Sequence, residues 1–150
     1  MNIGELMIGD WVYRVDFKEP IPVRILGLEV VNYDTHPMQY VADVFCPKHN
    51  NNVGLYMDEI CPIPLTAEIL EKNGFVINKH VYPYPYYEYI NSKDNLKIGF
   101  AYPRGNRTSY KEPWVYIDSE YVFVEHLPCM YVHELQHALR LCGIDKEIKL

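Results

Sequence analysis

The string His133-Glu134-Leu135-Gln136-His137 is the most chemically suggestive spacing in the chain. On a helix, His133 and His137 lie one turn apart on one face, as two zinc ligands must, and Glu134 would take a proton from zinc-bound water. A catalytic zinc also needs a third protein ligand. The extended HExxHxxGxxH form fails here, because Arg140 stands where glycine belongs and Gly143 where histidine belongs. The tail after His137 is too short for a second helix to return with a glutamate. Glu147 would have to reach back from it, or His126 or His80 would have to come from upstream.

Helical geometry argues for a plainer role. At about 100° per residue, Tyr131, Leu135, Ala138 and Cys142 form an apolar stripe, with Val132 and Leu139 beside it. His133, Gln136, His137 and Arg140 fall opposite. The expectation is a helix laid on a sheet, with Leu135 and Cys142 buried and with His133, His137 and Arg140 in solvent. On that reading the chain has no metal, no cofactor and no catalytic residue. The competing reading is a zinc hydrolase with Glu134 as base and His133 and His137 as ligands.

A second constellation is less famous. From Lys93 to Lys111 five basic residues stand against Asp94 alone, in a chain of net charge −6. Within it, Arg104, Asn106, Arg107, Thr108, Ser109 and Lys111 offer guanidinium forks, hydroxyls, an amide and an ammonium. These are the parts of a phosphate or carboxylate cradle. Tyr84, Tyr86 and Trp114 nearby could stack a base. The alternative is a solvated hairpin loop, and no P-loop or GxGxxG spacing sharpens the choice. A zinc site from Cys46, His49 and Cys61, with His36 as a distant fourth ligand, matches no common module.

Composition narrows the classes. Hydrophobic residues make up 49% and charged residues 23%, which suits a folded globular chain. With 14 Lys+Arg against 20 Asp+Glu, the chain gains nothing from counterion release, which argues against general nucleic-acid binding. No apolar run is long enough for a membrane span, and the start lacks a signal peptide's basic and apolar regions. The expected location is therefore cytoplasmic, where cysteines 46, 61, 129 and 142, with no Cys-x-x-Cys pair, are expected as free, buried thiols. Tyrosine is the anomaly: 14 copies against 5 Phe suit half-buried strands or a binding face.

The elements that must carry these residues are mostly strands. Trp11–Val15, Ile21–Val31, Tyr40–Phe45 and Val53–Met57 alternate or are β-branched, which predicts an SH3-like small barrel or curled sheet. The prolines of Cys61-Pro62-Ile63-Pro64 should end it. A short helix over 67–73 follows, capped by Thr66 and stopped by Gly74. Tyr82–Tyr89, with two prolines, reads as an edge strand or extended segment. Leu96–Tyr102 is a further strand, Pro103–Pro113 a polar loop, and Trp114–Ile117 with Tyr121–Val124 a hairpin. A helix from about Pro128 to Cys142 closes the chain, with Gly143 as its stop. The fold class is α+β: a β-rich lobe over 1–64, then an α+β lobe over 65–150 whose antiparallel sheet is covered by the last helix.

The closing string Tyr131 to Ile144 resembles a tail of small uncharacterised proteins from gut-anaerobe genomes and their prophages. Ile8-Gly9-Asp10-Trp11-Val12 and Pro62 to Phe75 resemble the same group, and the strands between Val76 and Val124 do so less. The resemblance implies a phage or mobile-element setting and brings no established activity. The resulting expectation is a non-enzymatic binding protein that takes an anionic small molecule, such as a nucleotide defence signal, or a host protein. The zinc hydrolase is the alternative.

Overall fold

The computed structural model describes residues 3–15, 18–31, 39–78, 86–91, 96–101, 114–118, 123–144 and 146–150; in the strands between 77 and 128 it describes backbone and pairing. The chain divides into two compact units, Met1–Ile63 and Pro64–Leu150.

In the first unit, β-branched alternation becomes a four-strand meander, with a fifth strand returning to lie beside the first. Strands β1 (Trp11–Arg14), β2 (Ile21–Val31), β3 (Gln39–Cys46), β4 (Asn51–Tyr56) and β5 (Ile60–Pro62) form one antiparallel sheet in the order β4-β3-β2-β1-β5. Ile21, Val23 and Ile25 turn into the core with Val12, Ala42, Val44, Cys46 and Leu55, while Arg24 between them is exposed. That is period-2 burial of one sheet face. A bulge between Ile25 and Gly27 makes Leu26 the extra residue, and Leu28 then resumes the inner face. Ahead of β1, Gly9 at φ 91° gives its N–H to the Ile25 carbonyl at 2.7 Å. The buried Asp10 carboxylate accepts the Met7 N–H at 2.7 Å and closes that turn.

One expectation narrows here. The sheet is open, with β4 and β5 as its edges, where closure into a barrel was one option. The prolines after Cys61 end the sheet as expected, with β5 closing at Pro62. Pro62 sits opposite Val12 in an edge strand, where a missing N–H costs no ladder bond.

The second unit opens on α1 (Ala67–Lys72). The Thr66 hydroxyl accepts the Ile69 N–H at 3.3 Å, and Gly74 past the end takes φ 82°. Strands β6 (Val76–Asn78), β7 (Tyr86–Asn91), β8 (Leu96–Ala101), β9 (Trp114–Asp118) and β10 (Phe123–Pro128) form a second antiparallel meander, β10-β9-β8-β7-β6. The tyrosine strand is therefore interior rather than an edge. It begins only after the prolines at 83 and 85, and β6 takes the edge instead. Pro128 ends β10 rather than opening a helix, and α2 spans Val132–Leu141. Gly143, at φ 71°, stops it as expected.

Asn73 joins α1 to the C-terminal tail. It is 1% exposed. Its amide nitrogen donates to the Ile69 carbonyl at 2.7 Å and to the Lys149 carbonyl at 2.8 Å. Its amide oxygen accepts the Lys149 N–H at 3.0 Å, and the Lys146 ammonium donates to its backbone carbonyl. One side chain thus pairs with Lys149 as a second strand would. No helix among the described residues is long and apolar enough to cross a membrane.

Candidate functional site

The histidine string sits at the start of α2, and the segment before it is fixed by backbone pairing. Leu65 gives its N–H to the Met130 carbonyl at 2.9 Å, and Pro64 bridges Tyr131. With the helix beginning at Val132, Glu134 occupies the third helical position. Its Oε2 accepts the Met130 N–H at 2.6 Å and the Tyr131 N–H at 3.0 Å. An acidic residue at this position answers amides that the helix leaves unsatisfied and faces the positive end of its dipole. The carboxylate that the zinc reading needs as base is held by the backbone.

The histidines depart from the expectation of a solvated face. His133 is 3% exposed, Gln136 is buried, and His137 and Arg140 are half-buried. The His133 ring lies flat against Tyr131, with centroids 5.7 Å apart and planes 7° from parallel. The His137 ring meets it edge-on at 5.8 Å and 73°. Leu135 is buried as expected, but Cys142 is only half-buried. The apolar stripe predicted one covered side, yet a stripe gives no bound on how much of the other side is covered too. The row Tyr131, His133, His137 is aromatic packing along one side of the helix.

The thiols add no ligand. Burial, and then the charge of Glu134, hold the Cys129 thiol far above its ordinary range. Burial also raises Cys142. Among the described residues no group of three His, Cys, Asp or Glu side chains could hold a metal. Glu147 is exposed on the tail, while the His80 and His126 side chains fall outside the described residues. Cys46 is buried in the first core, His49 is exposed in the turn after β3, and Cys61 is half-buried on β5; His36 lies outside the described residues.

The second constellation is approached through the sheet that carries it. Arg104, Asn106, Arg107, Thr108, Ser109, Lys111 and Tyr84 lie outside the described residues; Tyr86 and Trp114 have their backbone described. Trp114 opens β9 opposite Ala101, the last residue of β8. It also faces Pro128, the last residue of β10. Tyr86 opens β7 opposite Asn78, one step beyond the Tyr87–Phe100 pair with β8. Tyr86, Ala101 and Trp114 therefore share one end of the sheet, and the chain leaves β8 and re-enters β9 at that end. Tyr86 and Trp114 stand out in the sequence as aromatics, but the register that brings their strand ends together does not. Compared with known proteins, the chain matches no family model, no curated protein and no solved structure.

Proposed function

We propose that the protein is a non-catalytic binder of an anionic small molecule of the nucleotide class, in a phage or mobile-element setting where it would sequester such a signal. The observation that carries the choice is the Glu134 carboxylate. Bonded to the Met130 and Tyr131 amides, it serves α2 as a cap, and the histidines beside it belong to a packed aromatic row. A base for water needs a lone pair aimed at a reacting proton, and the two bonds to Oε2, aimed at the backbone, support the cap reading.

The ligand class rests on the other constellation. The Ala101–Trp114 pair sets the end of β8 beside the start of β9, and Arg104 and Arg107 lie between those two residues in the sequence. An anionic group held by guanidinium forks with an aromatic ring at the base is a common pattern of nucleotide recognition. The SH3-like reading of the first unit stands as a proposal beside it. It is supported by the strand order β4-β3-β2-β1-β5 and by the 3-10 turn Met57–Glu59 between β4 and β5.

A thermal-shift screen against nucleotides and cyclic dinucleotides tests the reading. At least one should raise the melting temperature, and Arg104→Lys or Arg107→Lys should reduce that rise while sparing the unliganded melt. Losing a charge-assisted bond costs about 1.5–3 kcal/mol, roughly tenfold to a hundredfold in affinity. A flat screen would remove the ligand class. Equimolar zinc that resists dialysis, lost with His137→Ala, would bring back the hydrolase.

A further inference from the structure

We propose that β4 is a self-association edge, which pairs antiparallel with β4 of a second copy of this chain. Open sheet edges carry unpaired backbone groups, and folded proteins ordinarily blunt them by shortness, proline, charge or bulges. Among the described residues, three of the four edges are blunted. β5 has three residues and holds Pro62, β6 has three, and β10 carries Glu125, a register shift and a terminal proline. β4 is Asn51-Asn52-Val53-Gly54-Leu55-Tyr56, six residues with neither charge nor proline.

The groups it presents can be assigned. The Tyr56 N–H donates to the Glu59 carboxylate at 2.8 Å, so it faces away from β3. Strand alternation then turns the N–H and C=O of Asn52 and Gly54 the same way. Both residues are exposed, and Tyr56 is 44% exposed.

Gly54 supplies a second observation. Its φ is not in the left-handed region, and an added Cβ would meet only ordinary contacts, Val41 Cγ1 at 3.5 Å and Asp43 Oδ1 at 3.6 Å. The chain's own packing does not require glycine there. A strand glycine often marks a close approach by another backbone.

Charge selects the partner and its direction. Each copy carries −6 overall, so two copies need locally opposite charges where they meet. At one end of β4 lies the turn with exposed Lys48, and at the other the 3-10 turn with Asp58 and Glu59. Antiparallel pairing sets Lys48 of each copy beside the acidic turn of the other, whereas parallel pairing would set like beside like. A two-fold axis at Gly54 puts Val53 opposite Leu55 and Asn52 opposite Tyr56, keeping apolar residues on one face. The two Gly54 residues exchange N–H···O bonds, while the Tyr56 N–H stays with Glu59.

The test is the oligomeric state by sedimentation velocity into the upper micromolar range, on the full chain. The wild type should dimerise. Gly54→Lys and Gly54→Glu each place like charges face to face on the axis, and each should weaken the dimer at least about tenfold with the fold intact by circular dichroism. Mixed in equal amounts, the two variants should dimerise again. If either fails to fold, Asn52→Pro removes an outward N–H without touching the β3 ladder and should also give monomer. A monomeric wild type overturns the proposal, as does a dimer that survives these substitutions. A mixture of the two charged variants that stays monomeric overturns it as well.

Discussion

A carboxylate oxygen that accepts two backbone N–H bonds does different work from one that activates water, and the two roles respond differently to substitution. Glu134 binds the amides of Met130 and Tyr131. Glu134→Ala should therefore lower stability by about 1–2 kcal/mol in urea denaturation, while Glu134→Gln, which keeps an acceptor, should lose less. Equal losses, or none, would mean the cap is not what Glu134 contributes. Beside it, Cys129 gives a pH signature. Burial, followed by the Glu134 charge, keeps this thiol protonated far above its ordinary range in the folded state. In the unfolded chain it loses its proton near the ordinary value of about 8.5. Above that pH the unfolded state binds fewer protons than the folded one, so stability falls as pH rises. Cys61 and Cys142 are raised by burial and add to the same slope, while Lys146, lowered by burial and by Lys149, opposes it. Denaturation between pH 8 and 9.5 should show a decline that Cys129→Ala makes shallower. An unchanged slope in that variant would place the thiol's proton elsewhere.

At the scale of elements, features that depend on a few neighbouring residues were legible in the sequence. Thr66 and Gly74 bound α1, Gly143 stops α2, and the alternation of Ile21, Val23 and Ile25 gives β2 its inner face. Features that depend on distant partners were not. β5 is three residues long with a proline and is a strand only because β1 pairs with it. β7 reads as an edge in the sequence because Pro83 and Pro85 stand directly before it. The burial of His133 depends on what covers a helix face, which periodicity does not encode. Asn73 belongs to the same group: beside a glycine it reads as a helix end, and its role appears only when Lys149 comes back to meet it. Leucine fills a similar volume but pairs with nothing, so Asn73→Leu would take from the Lys149 N–H and C=O the partner that holds them. The expected cost is about 2–3 kcal/mol, with faster amide exchange confined at first to the tail from Lys146. Exchange that stays slow in the tail of this variant would show that other contacts hold it.

Over the whole molecule, the division at Ile63 and Pro64 has a consequence for how the chain unfolds. The buried cluster of the first unit draws only on residues between Leu6 and Ile60, so that unit carries its own core. The second unit has its own buried set, including Leu70, Leu135, Leu139 and Ile148. Domains of roughly this size can fold by themselves, and separate cores favour separate transitions. The two tryptophans fall one in each unit, Trp11 on β1 and Trp114 on β9. Trp114→Phe leaves a reporter in the first unit, and Trp11→Phe leaves one in the second. The two single-tryptophan chains should unfold in urea with different midpoints. Ile25→Ala should lower the Trp11-reported stability by about 2–4 kcal/mol and leave the Trp114-reported midpoint nearly in place, with Leu135→Ala doing the reverse. If both midpoints coincide and move together under either substitution, the units unfold as one cooperative body, and the division at Ile63 is one of geometry without thermodynamic independence.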